Sequence, residues 1–278
     1  MKFKKTFLLT LTLVTSIVAG ACSSQETSKT SKASSNTANG GTKVQKIIVG
    51  TGTQFPNVCF IDKNGKLTGY DVELVRKIDE KLPEYKFEFK TMEFSNLLIS
   101  LETNKIDFIA HQMEVNEERQ KKFLFNSEPY NIFPLHVTVK QDNNEINSIK
   151  DLKGKKVIVS PTSNSAVFIE KYNKEHNAGI QIVYAGNGPD STINQIKTGR
   201  ADATITTPFS VDFLNKQVDA QEKVVGEPLL NSKVYFLLRK DETPLQKRID
   251  EALVELKKEG VVGELSKKWL GADYTVNF

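Results

Sequence analysis

Strand and helix signals alternate along this chain, and the alternation runs through twice. Lys46 to Thr51 is a short β-branched run broken by glycine, the pattern of a buried strand. Asp71 then stands as N-cap to a helix carrying Leu74, Ile78 and Leu82 at helical spacing, and Pro83 ends it. Phe87, Phe89 and Thr91 alternate as a strand does, and Leu97, Leu98 and Leu101 mark a second helix. Asn104-Lys105 turns the chain into a strand over Ile106 to Ala110. The order β-α-β-α-β predicts open sheets flanked by helices, because each helix must bury its apolar stripe against a sheet face.

The pattern restarts after Asp151-Leu152-Lys153-Gly154. Strands are expected at Lys156 to Val159, Ile180 to Tyr184 and Ala201 to Thr206, with helices at Ser163 to Tyr172 and Ser191 to Thr198. Pro208 opens a further helix, at the position where a missing N–H costs nothing. This second α/β unit covers roughly residues 142–230. Val234 to Leu238 reads as one more strand, and a helical tail follows with Ile249, Leu253 and Leu256 on one face. Ligands of such sheets sit outside the carboxyl ends of the strands, so the expected site is a crevice between two α/β units.

Ahead of this region lies an address label. Lys2, Lys4 and Lys5 precede an apolar run from Phe7 to Val18, and Ala19-Gly20-Ala21 leads into Cys22. That is the layout of a secretory signal over residues 1–21, with a run too short for a membrane span. Small residues before a cysteine resemble a bacterial lipobox, which implies a diacylglycerol anchor on Cys22; the bland alternative is a secretion signal with an incidental cysteine. Residues 22–43 follow as Cys22 and a leash: Ser23 to Thr42 is mostly Ser, Thr, Lys, Asn and Gly, with only Ala33 and Ala38 weakly apolar, so it reads as flexible.

Charge and cysteine usage exclude several classes. Lys+Arg number 38 against 34 Asp+Glu, and loss of the three signal lysines leaves 35 against 34. A near-neutral chain without a basic aromatic stripe is not expected to bind nucleic acid. With Cys22 lipidated, Cys59 stands alone; it has no disulfide partner and reads as a small packed hydrophobe. His111, His136 and His176 show no metal-ligand spacing, so no metal is expected, and each reads as a surface or pocket-wall residue.

The order of short motifs is more specific. Gly65-Lys66-Leu67-Thr68-Gly69-Tyr70-Asp71-Val72-Glu73-Leu74, the segment Phe94 to Ile109, and Asn116-Glu117-Glu118-Arg119 come first. Phe125-Asn126-Ser127-Glu128-Pro129-Tyr130, Asp151 to Val159, Gly199-Arg200-Ala201-Asp202-Ala203 and Lys268-Trp269-Leu270-Gly271 follow. Together, and in this order, they resemble the polar amino-acid branch of bacterial extracellular solute-binding proteins, family 3. The resemblance covers essentially everything after Lys46. It implies a two-lobed, periplasmic-binding-protein-like α/β fold of type II, two open sheets flanked by helices with a hinged cleft. One lobe would hold residues 44–139 plus 232–278 and the other 140–231. The chain would cross between them near Thr138 to Gln141 and near Leu230 to Lys233.

An amino acid is a zwitterion, so a dry cleft must offer it a cation and an anion. By itself Arg119 reads equally as a surface helix arginine among Glu117, Glu118, Lys121 and Lys122; the resemblance implies a carboxylate-gripping fork. Ser163 and Asn164 match the loop before the second lobe's first helix, where N–H groups suit a carboxylate or a simple N-cap. That loop, Pro161-Thr162-Ser163, lacks the family's usual glycine. Where many relatives carry an ammonium-binding aspartate, this chain has Thr207, so the acid is expected to be Glu114, whose alternative is a solvated loop glutamate. Gln112 and Thr206 would add hydrogen bonds. Phe94 matches the aromatic that stacks on the ligand, and Phe55 or Phe60 would face it.

Gln112, Glu114 and Thr207 together resemble the branch that imports cystine and related sulfur compounds. The function this implies is a lipid-anchored receptor for an amino-acid ABC importer, a monomer on the outer face of a Gram-positive cell membrane. It would hand its ligand to the permease, with the separate ATPase supplying energy, and would need neither cofactor nor catalysis. The competing reading is a secreted enzyme on the same fold, such as a cyclohexadienyl dehydratase. That chemistry asks for a second anion-binding arginine, and of Arg76, Arg119, Arg200, Arg239 and Arg248 only Arg119 falls on a site motif. A signalling or adhesion module is a third reading; with no second apolar span before Phe278, a one-chain membrane sensor is not expected.

Overall fold

A computed structural model describes residues 44–186 and 189–276. The signal segment, Cys22 and the leash to residue 43 lie outside the described residues.

The first half is built on β1 (Gln45–Thr51), which pairs in parallel with β5 (Tyr85–Thr91) and β6 (Phe108–Glu114). Between β1 and the first helix the chain forms a small antiparallel meander, β2 (Gln54–Phe55), β3 (Cys59–Ile61) and β4 (Leu67–Thr68), which the sequence patterns did not signal. Helix α1 (Tyr70–Lys81) buries Val72, Leu74, Val75 and Ile78, one helical stripe. It packs on the C-terminal helices α7 (Thr243–Lys258) and α8 (Val261–Leu270).

The start of α1 corrects one expectation. Its N-cap is Gly69, at φ 121°, where a Cβ would come 2.4 Å from the Val58 carbonyl oxygen. Only glycine fits that backbone and that approach. Asp71 therefore sits inside the first turn, fully buried, and its carboxylate points into the core rather than capping the helix.

Helix α2 (Phe94–Glu102) covers the other face, with Leu97 and Leu101 buried. Strand β6 runs to Glu114, beyond the expected Ala110, and all seven of its residues are buried. Helix α3 (Glu117–Lys122) and β7 (Leu124–Phe125) lead to β8 (Asn131–Lys140), a long strand with only two residues less than buried. A single 3₁₀ turn at Ile149–Leu152 opens the second half. That half comprises β9 (Lys156–Val159), α4 (Asn164–His176), β10 (Gln181–Tyr184), α5 (Pro189–Lys197), β11 (Ala203–Thr206) and α6 (Pro208–Val218). The chain then returns along β12 (Glu222–Leu238).

Both halves are parallel stacks, β5-β1-β6 and β10-β9-β11, and the long antiparallel pair β8 and β12 belongs to both. In β8, Asn131 to Leu135 pairs with Val234 to Leu230. Val137 to Lys140 pairs with Val225 to Glu222, while His136 to Thr138 also pairs with β11. The register of β12 slips between Val225 and Leu230, and Pro228, which has no N–H for a ladder, stands in the slipped stretch. β8 gains β11 as a neighbour from His136, opposite this slip, and β12 gains β6 from Val234. Apolar packing is continuous, since one buried cluster holds Tyr70, Phe108 and Phe236 together with Val137, Val157 and Ile169.

Candidate functional site

The carboxyl ends of β1, β6, β9 and β11 and the starts of α2 and α4 surround one cavity of about 270 Å³. Small-molecule pockets run from roughly 300 Å³ upward, so this space suits a single small ligand rather than a polymer.

Arg119 is the cation of the cavity wall and is 4% exposed. Asn116 caps α3 by accepting the Arg119 main-chain N–H at 2.8 Å, which fixes where the side chain starts. Its Nη1 donates to the Glu114 carbonyl at 2.8 Å and its Nη2 to the Thr162 carbonyl at 3.1 Å. Nε has no partner among the described residues. Burial pulls the guanidinium pKa down and the Glu114 and Glu118 charges push it up, but an arginine remains charged. It is the one arginine among the described residues lining the cavity. Thr162, whose carbonyl it grips, takes φ 63°, the left-handed geometry a glycine would adopt freely. The loop thus keeps a glycine-like turn without the glycine.

Glu114 also lines the cavity and is 4% exposed, on a strand rather than in a solvated loop. Burial pushes its pKa up to about 7, against the pull of Ser232, Arg119 and Asn164. Its Oε1 has no partner among the described residues. A buried cation and a buried acid five residues apart in sequence therefore share one wall.

Gln112 reaches the cavity, but its side chain is already committed. Its Nε2 donates to Asp71 and its Oε1 accepts from Asn131 Nδ2 at 2.9 Å, which holds the amide in place and leaves one N–H and one lone pair over. The residue sits at φ 49°, next to a register slip opposite Phe236, which lifts this stretch out of the regular ladder.

Ser163 and Asn164 stand at the start of α4 and line the cavity. The Ser163 hydroxyl donates to the Ser160 carbonyl at 2.7 Å and accepts from the Ala166 N–H at 3.1 Å, so it is a working N-cap. The Asn164 and Ser165 N–H groups are then first-turn donors with no helical acceptor. Asn164 Oδ1 accepts from Asn116 Nδ2 at 2.7 Å. Thr206 lines the cavity at the end of β11. Thr207 does not: it is fully buried, and its hydroxyl caps α6 through Ser210.

Phe55 and Phe94 both line the cavity, and His111 lies between them. The imidazole centroid is 5.0 Å from each ring, tilted 35° to Phe55 and 38° to Phe94. Burial pushes the His111 pKa down to about 4, so the ring is neutral, and its Nδ1 has no partner among the described residues. Phe60 is elsewhere, packed on Phe213 and Trp269. Cys59 is a buried free thiol pushed up to about 12 by burial, which makes it inert. His176 stacks on Tyr172, and a His136 ring nitrogen lies 3.2 Å from the Gly226 carbonyl.

Two functional features escaped the sequence patterns. Asp71 stands behind the cavity as the acceptor that holds Gln112. Glu222 lines the inner wall at the start of β12, 2% exposed, with Oε1 unpartnered among the described residues; burial alone pushes it up to about 7. An acid opening a strand carries no periodic signal, so nothing in the sequence marked it.

Residues 47–272 match the model of the bacterial extracellular solute-binding proteins, family 3. The chain belongs to this family. Among family 3 relatives, the L-cystine-binding protein TcyK of Bacillus subtilis (strain 168) is 53% identical over 276 residues, 99% of this chain and 98% of that protein. The L-cystine-binding protein TcyJ of the same strain is 50% identical over 272 residues, 98% and 97% of the two chains. A solved ancestral arginine-binding protein bound to arginine superposes with a TM-score of 0.74 at 34% identity, covering 82% of this chain and 99% of that one. The fold is accordingly the two-lobed α/β fold of family 3 solute-binding proteins.

Proposed function

We propose that this chain is the extracytoplasmic receptor of an amino-acid ABC importer and that its ligand is L-cystine. The observation that carries the reading is Arg119, a buried guanidinium that meets only main-chain carbonyls and leaves Nε unpartnered. A buried charge so placed calls for an anion, and a ligand carboxylate supplies it. The first N–H groups of α4 add donors and a favourable helix dipole. Glu114, on the same wall, takes the ammonium in place of an acid at Thr207. Two relatives at half identity or more are named L-cystine-binding proteins, which supports the choice of ligand.

The lobes divide, on this reading, where β8 and β12 change neighbours. Residues 44 to about 130 and from about 235 onward make the first, and about 136–225 the second, a few residues earlier on β8 than Thr138. Arg119 and Asn116 bond across this division to Thr162 and Asn164. Ligand binding then shifts the population toward this closed arrangement. On this reading the receptor carries out no catalysis, as its relatives named for L-cystine binding suggest. Cys22 would hold the monomer to the membrane by lipid, within reach of the permease.

Thermal shift of the purified protein against the amino acids, L-cystine included, tests this. Cystine at about 100 times its dissociation constant should add roughly 2.7 kcal/mol of stability. Absence of a response to every amino acid overturns the receptor reading.

A further inference from the structure

We propose that His111, held between Phe55 and Phe94, is the specificity-determining residue that reads the sulfur of the ligand's side chain. The inference rests on the cystine reading above and goes beyond it, since nothing in a zwitterion-binding Arg119 and Glu114 discriminates one side chain from another.

The three rings form a continuous wall of the cavity, each Phe centroid 5.0 Å from the imidazole. The wall is uncharged: His111 is 8% exposed, and burial holds it neutral at any pH above about 4. A cationic or anionic side chain would meet no counter-charge on these rings. Divalent sulfur is different. It is polarizable and gains from contact with ring edges at about 5 Å, which a methylene of the same shape does not match. His111 also keeps a buried Nδ1 without a partner among the described residues, so the ring is a polar heteroaromatic where plain packing would take a hydrocarbon. Gly52 makes room for the ring: a Cβ there would come 2.8 Å from Nε2.

The test compares L-cystine with 2,7-diaminosuberic acid, in which both sulfurs are replaced by methylenes and both zwitterionic ends are kept. Calorimetry on the native protein should give cystine the tighter binding by roughly 2- to 10-fold. His111→Leu should bring that ratio close to one, whatever it does to the two affinities together. His111→Phe, which keeps a ring without a nitrogen, should retain part of the preference and guards against a leucine variant that fails to fold. A ratio of one in the native protein, or an unchanged ratio in either variant, overturns the assignment. Failure of the native protein to bind either compound would instead sink the cystine reading itself.

Discussion

Asp71 holds Gln112 at two points: one carboxylate oxygen accepts its main-chain N–H at 2.8 Å and the other its side-chain amide at 2.5 Å. Tyr130 donates a third hydrogen bond at 2.9 Å. Burial still pushes the Asp71 pKa up to about 6, because three donors only partly replace water around a fully buried charge. The pair fixes the left-handed turn at Gln112 on the cavity wall. Asp71→Asn turns one acceptor into a donor facing donors and should destabilise the fold by about 2–4 kcal/mol. Denaturant unfolding would show it; a midpoint equal to the native one would mean that the three bonds carry no net weight.

Arg119→Ala should weaken cystine binding by roughly 2–5 kcal/mol, because the ligand carboxylate is left buried and unpaired. The fold should survive, since the groups it releases are main-chain carbonyls at the cavity edge. Arg119→Lys should recover only part of the loss, as a point charge cannot form the two-pronged contact. Retained affinity in the alanine variant, measured by calorimetry, would remove Arg119 from the site.

Asn116 serves two partners. Its Oδ1 caps α3 through the Arg119 N–H, and its Nδ2 donates to Asn164. Asn116→Asp keeps the cap and replaces the donor with an oxygen facing the Asn164 oxygen. The free protein should keep its melting temperature, while ligand affinity falls about 5- to 30-fold through a less populated closed state. If affinity and melting temperature drop together, the contact is structural and not a latch.

Glu222 supplies a pH signature. Its folded pKa, about 7, lies above its ordinary 4.5, so the folded state binds more protons than the unfolded between those values. Stability from this group is complete below pH 4.5 and is lost as pH rises toward 7. The difference approaches roughly 3 kcal/mol. Glu222→Gln stays neutral, so its advantage over the native protein should be small at pH 4.5 and grow to a few kcal/mol by pH 8. Comparing the two proteins at each pH cancels Glu114 and Asp71, which are shifted the same way. A pH-independent difference would show that Glu222 does not titrate in this range.

Local chemistry carried much of this molecule in plain view. Helical stripes such as Leu74-Ile78 and Ile249-Leu253-Leu256, the stop at Pro83 and the proline start at Pro208 depend on a few adjacent residues, and those elements stand where the patterns put them. Arg119, Ser163, Asn164, Phe94 and Phe55 also line one cavity. What sequence could not show depends on partners far along the chain. Asp71 looks like a cap until Gln112, 41 residues on, and Tyr130, 59 residues on, supply its donors. Thr207 looks like a ligand contact until α6 claims its hydroxyl. Gln112 reads as a simple hydrogen-bonding residue until Asp71 and Asn131 are seen to hold its amide. Glu222 becomes part of the wall only once β8 and β12 pair and bring the start of β12 to the cavity. Periodicity records which side of an element is buried; which polar group is left unpaired inside a cavity is decided by long-range pairing, and only the tertiary structure settles it.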